Sequence, residues 1–306
     1  MKFSICISTI RPDTLGAAIT SIHRQTWKEW ELIVVGQGKD PTLRQIVEAA
    51  SQEDPRIRYV HLHQRGLSRG RNAALQSATG EITAFMDDDC EAHADWLAVL
   101  AECFDRELDV GLIGGALIPP QPLQRGIASC PGSIPAEALY DPSTHPCEPP
   151  PGWDWIGGNF AMRRQLIEQC GLFDECLGAG SDFPAAEDTD YKLRLEKLGV
   201  KMRSTPRSVV YHTYGFRYGL RAAVQLSRNY AYGNGGLAGK LTLLNDPRGL
   251  EWKHNTWRDC LRKWRHPLRP HRIAVDLLRL KNYITAYNHC IRTYEINNGL
   301  LCPKNL

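Results

Sequence analysis

The sequence lacks long apolar runs, because none of its hydrophobic stretches approaches the 18 residues that a membrane-spanning helix needs. Residues 1–8 turn polar too early for a signal peptide, so we expect none. A chain of 306 residues with 42% hydrophobic content is long enough for an ample core. These properties predict a soluble, cytoplasmic protein built as one large domain or as a domain with an appendage.

Cysteine pairs and strong charge are also missing. The ten cysteines include no C-x-x-C pair, so neither a zinc site nor a disulfide framework is indicated, and a reduced compartment fits best. The net charge of +3 is too small to predict a nucleic-acid partner. The charge is uneven, however, because residues 251–272 combine seven Lys and Arg residues with Trp252, Trp257 and Trp264 against two acids.

Two nucleotide-binding signatures are absent. Gly36 and Gly38 are not followed by the third glycine of the dinucleotide fingerprint, since Pro41 stands at that position. No G-x-x-x-x-G-K-[ST] motif occurs either. These absences argue against a nicotinamide enzyme and a P-loop enzyme. The spacing Asp87-Asp88-x-x-Glu91 is similar to an aspartate-rich motif of prenyl synthases, but those motifs lie on helices and this one follows a strand pattern.

The first half of the chain alternates strand and helix patterns. This order predicts an α/β protein with a mostly parallel, Rossmann-like sheet that is flanked by helices. The predicted strands are 3–7, 31–35, 57–60 and 82–86, and the predicted helices begin at Pro12, at Pro41 and near Ser68, with a fourth around 96–104.

Three consecutive acids, Asp87, Asp88 and Asp89, end the fourth predicted strand. Adjacent carboxylates repel one another, and a bound divalent cation relieves that repulsion. The alternative is a solvated loop in which Asp89 or Asp95 caps the next helix. Because ligands bind at the carboxyl ends of parallel strands, we expect these acids to share a crevice with residues 9–11 and 36–38.

Short segments in order along residues 3–213 resemble family 2 glycosyltransferases. The segments that resemble the nucleotide-sugar half are SICISTIRP at 4–12, SIHRQT at 21–26, WELIVV at 30–35, GRNAA at 70–74 and DDD at 87–89. Those that resemble the acceptor half are GGNFAMRR at 157–164, FD at 173–174 and EDTD at 187–190. The resemblance implies a GT-A fold with donor and acceptor subsites side by side.

The resemblance also implies roles for the residues of the donor half. Asp89 would ligate Mn²⁺ or Mg²⁺, and His212, at another strand end, would face the metal or the diphosphate. The residues expected to contact the nucleotide are Thr9, Arg11, Gln37, Arg71, Asp87 (with the ribose) and Asp88. The alternatives are that Thr9 supplies a turn hydroxyl and that His212 is structural. For the arginines, Arg11 would be a solvated side chain and Arg71 an exposed residue in the first turn of a helix.

The sequence departs from the family after the second strand. Relatives usually carry an acid there that binds a pyrimidine base, whereas this chain has Gln37. A glutamine amide both donates and accepts hydrogen bonds, so base recognition is retained as an expectation without specifying uridine.

The acceptor half supplies a carboxylate for the chemistry. Inverting transfer needs a base that removes the proton of the acceptor hydroxyl. By resemblance, Asp188 is the expected base and Glu187 the second choice. The alternative is that these acids only stabilise the first turn of a helix.

Acceptor contacts are expected at Trp153, Trp155 and Gly158, with the two indoles as a sugar-stacking platform or, alternatively, as core or lid aromatics. The proline-rich segment 119–151 is interpreted as a loop over the acceptor side, the alternative being a passive insertion. The basic region with its tryptophans is interpreted as a peripheral contact with the membrane surface, the alternative being a solvated helix.

The sequence thus predicts two parts. Residues 1–215 form the GT-A domain (1–115 for the nucleotide sugar, 116–152 the proline-rich loop, 153–215 the acceptor half), and 216–306 form a helical C-terminal region. The predicted function is metal-dependent, inverting transfer of a sugar from a nucleoside-diphosphate sugar to a saccharide or lipid-linked saccharide. A non-catalytic nucleotide-sugar or glycan-binding module of the same fold is the alternative.

Overall fold

The structure is a computed structural model that describes residues 1–122, 126–146, 148–264 and 270–304. The chain forms two compact units. The first contains Met1–Phe173 and Tyr191–Arg217, and the second contains Asp174–Asp190 together with the chain from Tyr218 onward. The sequence predicts one domain over residues 1–215, and in the structure the segment Asp174–Asp190 within that range is grouped with the C-terminal helices.

A mixed sheet forms the centre of the first unit. Its strands are β1 (Phe3–Thr9), β2 (Trp30–Gln37), β3 (Ile57–Leu62), β4 (Ile82–Met86), β5 (Glu91–Ala92), β6 (Val110–Ile118), β8 (Ala138–Tyr140), β9 (Asn159–Arg163) and β10 (Lys201–Tyr211), while β7 (Ala128–Ser129) pairs with β11 (Arg217–Tyr218) outside it. Among the described residues the order is β3-β2-β1-β4-β9-β6-β10-β5, with β8 also on β10. The predicted α/β architecture is confirmed.

The four strands predicted from the sequence are parallel neighbours. Phe3 on β1 lies opposite both Trp30 on β2 and Ile82 on β4, so the carboxyl ends of these strands share one edge. Alternate residues of β1 enter two different hydrophobic clusters, with Ile5 in one and Cys6 in the other. The sheet is therefore covered on both faces, as its near-continuous apolar strands require.

Antiparallel pairing enters through β9, which lies between β4 and β6 and runs opposite to both. β10 is parallel to β6, and its register shifts between Ser204 and Val209, around Pro206. Proline has no N–H to donate to a ladder, so a shift at this position is expected. The strand then leads directly into His212.

The helices of the first unit cover the sheet. They are α1 (Pro12–His23), α2 (Pro41–Glu53), α3 (Leu67–Ser77), α4 (Trp96–Arg106), α5 (Leu166–Cys170) and α6 (Glu187–Lys197), whose first turn belongs to the second unit. Pro12 and Pro41 stand at the first helical positions, where a missing N–H does no harm. Asp40 caps α2 by accepting a hydrogen bond from Thr42 N (2.9 Å).

The described parts of the proline-rich segment are largely irregular, as predicted, but they are tied to the sheet. Ser133 and Leu117 exchange two backbone hydrogen bonds of 3.0 and 2.8 Å. β8 pairs with β10 in the antiparallel direction. Residues 123–125 and 147 of the segment lie outside the described residues.

The second unit is helical, as the sequence predicts for the C-terminal region. Its helices are α7 (Leu220–Leu243), α8 (Arg248–Trp264) and α9 (Pro270–Thr293), followed by a hairpin of β12 (Tyr294–Asn297) and β13 (Leu300–Pro303). Ala238 packs with Tyr283 and Tyr287 in a small core. None of the helices in the described part of the chain combines the length and hydropathy that crossing a membrane requires.

The proposed membrane-contacting surface lies only partly within the described residues. On α8 the Trp257 side chain is exposed, and Lys253 Nζ lies 4.2 Å from the centre of the Tyr287 ring. Residues 265–269, in the middle of the basic region, lie outside the described residues.

Candidate active site

The carboxyl ends of β1 and β4 meet through hydrogen bonds and ion pairs. Thr9 Oγ1 donates to Asp88 Oδ2 (2.6 Å) and also accepts from Arg11 N (3.0 Å). The Arg11 guanidinium donates two hydrogen bonds to the Asp88 carboxylate, from Nε to Oδ2 (3.3 Å) and from Nη2 to Oδ1. The structure therefore brings together Thr9, Arg11 and the acids, as the parallel strand order led us to expect.

Asp89 is buried, with 2% of its surface exposed, and three basic side chains surround it. Arg11 Nη1 lies 2.9 Å from Oδ2, Arg217 Nη2 lies 3.4 Å from Oδ2, and His212 Nε2 lies 3.2 Å from Oδ1. Burial by itself would raise the pKa of Asp89, but the hydrogen bond with His212 and the charge of Arg11 outweigh it and lower the pKa below its usual range. The carboxylate is therefore ionised.

His212 is fixed by a contact on each ring nitrogen. Nδ1 lies 2.8 Å from the Pro131 carbonyl oxygen, so this nitrogen carries a proton that it donates there. Burial disfavours the charged imidazole, yet the hydrogen bond with Asp89 and the charge of that acid raise the pKa of His212. The hydrogen bond to Asp89 needs a proton on Nε2, because a carboxylate only accepts. A cation bound at Nε2 would replace that proton, while the Nδ1 proton stays on the Pro131 carbonyl.

A thiol completes this cluster. The ligand atoms of Asp89, Cys90 and His212 all lie within 4.8 Å of one another, and all three residues are buried. A carboxylate oxygen suits Mn²⁺ and Mg²⁺, and an imidazole nitrogen suits Mn²⁺ better than the harder Mg²⁺. The residues present could therefore hold a divalent cation.

Arg71 forms an ion pair with Asp87, the first acid of the triplet. Arg71 is buried, donates from Nη2 to the Gly157 carbonyl (2.8 Å), and lies 3.7 Å from Asp87 Oδ1. Burial raises the pKa of Asp87, and the charge of Arg71 only partly opposes this. Arg71 is thus a buried residue that pairs with Asp87, and not the exposed helix residue of the alternative interpretation.

Gln37 is engaged by the protein itself. Its amide nitrogen donates to the Gly66 carbonyl (2.8 Å) and to Ser8 Oγ (3.1 Å), and its oxygen accepts from Gly66 N (2.9 Å). Both amide hydrogens are therefore used, and the side chain fixes the turn before α3. Its predicted contact with the base would rest on the remaining lone pair of its oxygen.

The predicted acceptor residues lie close to the core. Trp153 and Trp155 are each 8% exposed; Trp153 Nε1 donates to the Met202 carbonyl (3.2 Å) and Trp155 packs edge-on against Phe160. These contacts are those of the core aromatics that the sequence left as the alternative to a sugar platform. A Cβ on Gly158 would lie 3.0 Å from Asp87 Oδ2, so this glycine lets the backbone pass close to the acid.

Glu187 and Asp188 belong to the second unit, in the first turn of α6. Glu187 is buried, whereas Asp188 is half-buried and accepts from Thr189 N (2.7 Å). Ala186, immediately before them, has φ of +72°, a left-handed conformation that costs a residue with a Cβ about 1 kcal/mol. Such strain is found at functional sites, where the surrounding structure imposes it.

Sequence reasoning missed several residues of this region. Arg217 contacts Asp89, and the Pro131 carbonyl contacts His212. Both come from segments without a recognisable motif. Cys90 follows the acidic triplet directly, and this position beside Asp89 is a signal that the sequence does carry. In the second unit, Lys240 pairs with two buried acids from within a glycine-rich helix, where only its burial reveals it.

The mixed sheet and the acids at its parallel strand ends define an α/β protein of GT-A fold. Over 99% of its length the chain matches Staphylococcus aureus TarS 1–349 in complex with UDP-GlcNAc, covering 97% of that chain with a TM-score of 0.57 and 17% identity. It also matches the mannosyltransferase PcManGT from Pyrobaculum calidifontis in complex with GDP-Man and Mn²⁺ (93% of this chain, 73% of that chain, TM-score 0.56, 16% identity).

The chain belongs to glycosyl transferase family 2, whose family model matches residues 4–171, more than half of its length. Among curated relatives it is 25% identical over 122 residues to the glucosyl-dolichyl phosphate glucuronosyltransferase of Haloferax volcanii, a match that covers 39% of each protein. The chain spans half or less of the length of the first curated relatives that it matches. The predicted family and fold are confirmed.

Proposed function

We propose that this protein transfers a sugar from a nucleoside-diphosphate sugar to a saccharide or lipid-linked saccharide, with inversion and in a metal-dependent reaction. The observation that carries the proposal is the pairing of buried Asp89 with His212 at the carboxyl ends of the strands. This pair offers one carboxylate oxygen and one imidazole nitrogen to a cation, next to the Thr9, Arg11 and Asp88 group that the nucleotide would meet.

In this proposal Asp89 and His212 hold Mn²⁺ or Mg²⁺. The bound cation would neutralise the charge that develops on the departing nucleoside diphosphate. Arg11 and Arg217, whose side chains remain more than a third exposed, add positive charge at the same place. Asp87 is assigned to the ribose hydroxyls. The PcManGT complex with GDP-Man and Mn²⁺ supports a metal and a nucleotide sugar in this fold.

Asp188 is the proposed base. Its half-buried carboxylate accepts the proton of the acceptor hydroxyl while that oxygen bonds to the anomeric carbon and the bond from this carbon to the diphosphate oxygen breaks. A single displacement of this kind inverts the anomeric centre. Glu187 is buried and is the second choice.

The acceptor is proposed to be a saccharide, either free or carried by a lipid, in the assembly of a cell-surface polysaccharide at the cytoplasmic face of the membrane. The support is the Haloferax relative, which acts with a glucosyl-dolichyl phosphate. Peripheral contact through the basic C-terminal region would bring the protein to a lipid-linked acceptor.

The first test measures thermal stabilisation by UDP, dTDP, GDP and CDP, each with and without Mn²⁺. A nucleotide at about 100 times its dissociation constant should add about 2.7 kcal/mol to the free energy of unfolding. We expect one nucleotide to stabilise in a Mn²⁺-dependent manner, and Asp89→Ala to remove that dependence. Asp105→Asn, a change at an exposed acid of α4, is the matched control and should behave as the wild type.

The second test measures transfer by Asp188→Asn. Retained nucleotide binding with transfer reduced at least about 100-fold supports the assigned base, since general acid–base catalysis contributes about 10²–10⁴-fold. Full transfer by this variant would refute the assignment. Nucleotide binding with no transfer or hydrolysis by the wild type would favour the non-catalytic binding module instead.

A further inference from the structure

Lys240 lies fully buried in the second unit between two buried acids. Its Nζ is 2.6 Å from Asp190 Oδ1 and 2.8 Å from Asp174 Oδ2, and the three side chains are 0%, 3% and 1% exposed. The two acids are the first and last residues of the segment Asp174–Asp190, which carries Glu187 and Asp188. One lysine of α7 therefore ties together both ends of this segment.

The first end of the segment is also held by backbone groups. Asp174 Oδ1 accepts from Cys176 N (3.0 Å), and Oδ2 accepts from Leu301 N (2.9 Å) in addition to its contact with Lys240. A carboxylate with these partners has little freedom to rotate. Asp174 is thus a fixed point from which Lys240 can position Asp190.

The other end of the segment contains the first turn of α6, which follows the strained backbone of Ala186. Asp190 N donates to the Ala186 carbonyl (2.9 Å), which closes the first turn of the helix after the left-handed Ala186. On the other side, Gly233 of α7 approaches Ala185 so closely that a Cβ there would lie 2.6 Å from Ala185 N. Helix α7 therefore contacts the segment on both sides of Glu187 and Asp188.

Helix geometry links Asp190 to Asp188. Residues two positions apart on an α-helix point about 200° apart, because a turn takes about 3.6 residues. Drawing Asp190 inward to Lys240 turns Asp188 to the opposite side, and the structure agrees, since Asp190 is buried and Asp188 is only half-buried. Glu187, three positions before Asp190, shares its face and is buried with it.

We propose that Lys240 is a positioning residue for the base: through Asp190 it sets the rotation of the first turn of α6 and so presents Asp188 to the acceptor. This inference rests on the proposed function. Stability alone does not explain the arrangement, because three buried charged groups are often no more stabilising than apolar residues of similar size.

The test compares Lys240→Met with Lys281→Met, a change at an exposed lysine of α9 in the same unit. We expect Lys240→Met to lower kcat for transfer at least about tenfold, because small misplacements of a reacting group are costly. The donor KM and the Mn²⁺-dependent nucleotide Kd should stay within about twofold, and Lys281→Met should match the wild type. All measurements are made below the melting temperature of each variant.

A second variant separates positioning from folding. Lys240→Met removes the buried cation that contacts Asp174 and Asp190, so the triple variant Lys240→Met, Asp174→Asn, Asp190→Asn also removes the two negative charges that this cation faces. We expect the triple variant to regain thermal stability but not kcat. If it regains both, Lys240 acts only on stability and the inference is overturned.

Asp188→Asn separates the proposed role of Asp188 as the base from the proposed role of Lys240 in positioning it. If Asp188→Asn abolishes transfer while Lys240→Met transfers like the wild type, the positioning inference fails and the proposed base stands. If Asp188→Asn transfers normally, the proposed base fails, and the inference falls with it. If both variants lose kcat with unchanged nucleotide Kd, both are supported.

Discussion

His212 Nε2 lies 3.2 Å from Asp89 Oδ1, while Nδ1 of the same ring lies 2.8 Å from the Pro131 carbonyl oxygen. The carbonyl holds the Nδ1 proton, so Nε2 is the nitrogen that would bind a cation, in place of the proton that it donates to Asp89. A proline-rich segment that looks incidental in the sequence therefore orients a candidate metal ligand.

Replacing His212 with Ala should weaken metal-dependent nucleotide binding at least about tenfold, by analogy with the loss of groups that support a metal site. The fold should survive, because Arg11 and Arg217 remain to pair with Asp89. Isothermal titration with the preferred nucleotide, in Mn²⁺ and in EDTA, measures the effect. His254→Ala, a change at an exposed histidine of α8, is the control, and equal Mn²⁺ dependence in both variants would contradict the assigned ligand.

Cys90 should make the site sensitive to Zn²⁺. A thiol is a better ligand for Zn²⁺ than for Mg²⁺ or Mn²⁺, and Cys90 lies in the cluster with Asp89 and His212. We expect Zn²⁺ to displace Mn²⁺, and Cys90→Ser to weaken Zn²⁺ at least about tenfold, with Mn²⁺ affinity within about twofold of wild type. Burial raises the pKa of Cys90 well above its usual value, so Zn²⁺ must displace a proton and should bind more tightly as pH rises.

Cobalt substitution reports on the same thiol directly. A sulfur-to-cobalt charge-transfer band should appear in the near-ultraviolet spectrum of the wild type and of Cys302→Ser, and should be missing from Cys90→Ser. The same band in all three proteins would show that Cys90 is not a ligand.

The strands and helices of the first half could be predicted because their cause is local. β4 coincides with the predicted strand 82–86, and α1 and α2 begin at the predicted prolines. The position of β9 between β4 and β6 could not be predicted, since its pairing joins segments far apart in the chain. Long-range pairing leaves no periodic pattern in a single sequence.

Part of the candidate site could likewise be predicted from the sequence, and part could not. Asp87, Asp88 and Asp89 were evident because an apolar strand ends in them, and parallel order brought Thr9 and Arg11 to their side. The partners of Asp89 and His212 from distant loops were not evident. Nor was Lys240, since a lysine in a helix is ordinarily solvent-exposed and only three-dimensional packing shows it buried.

Glu31, the second residue of β2, should make the free energy of unfolding depend on pH. Its carboxylate accepts from Ser4 Oγ (2.6 Å), Thr79 N (2.7 Å) and Arg58 Nη2 (2.7 Å). Burial would raise the pKa of Glu31, but these hydrogen bonds lower it to about 2. Because the folded pKa is below the unfolded one, the stabilisation is complete above about pH 4.3 and disappears as pH falls toward 2.

Glu31→Gln should therefore lower the free energy of unfolding by about 1–3 kcal/mol at pH 7, with the difference shrinking below pH 4. Urea denaturation of the metal-free protein over a pH series measures this. Glu53→Gln, at an exposed position of α2, is the control. A difference between wild type and Glu31→Gln that is constant with pH would contradict the assigned hydrogen bonds.

Two helical glycines should respond oppositely to alanine. A Cβ on Gly16 of α1 would meet no atom within 4 Å, so Gly16→Ala should stabilise by about 0.5–1 kcal/mol. A Cβ on Gly233 would lie 2.6 Å from Ala185 N, so Gly233→Ala should destabilise by about 1–3 kcal/mol through displacement of Ala185 or α7. Thermal denaturation compares them, and stabilisation by both changes would contradict the close approach at Ala185.

The grouping of Asp174–Asp190 with the chain from Tyr218 onward affects how relatives can be recombined. A chimaera with one breakpoint after Arg217 would take this segment, with Asp188, from one parent and Lys240 from the other. Matched inheritance requires three breakpoints, so that Asp174–Asp190 and the C-terminal helices come from the same parent. The buried contacts of Lys240 with Asp174 and Asp190 would then pass between relatives as one discontinuous unit.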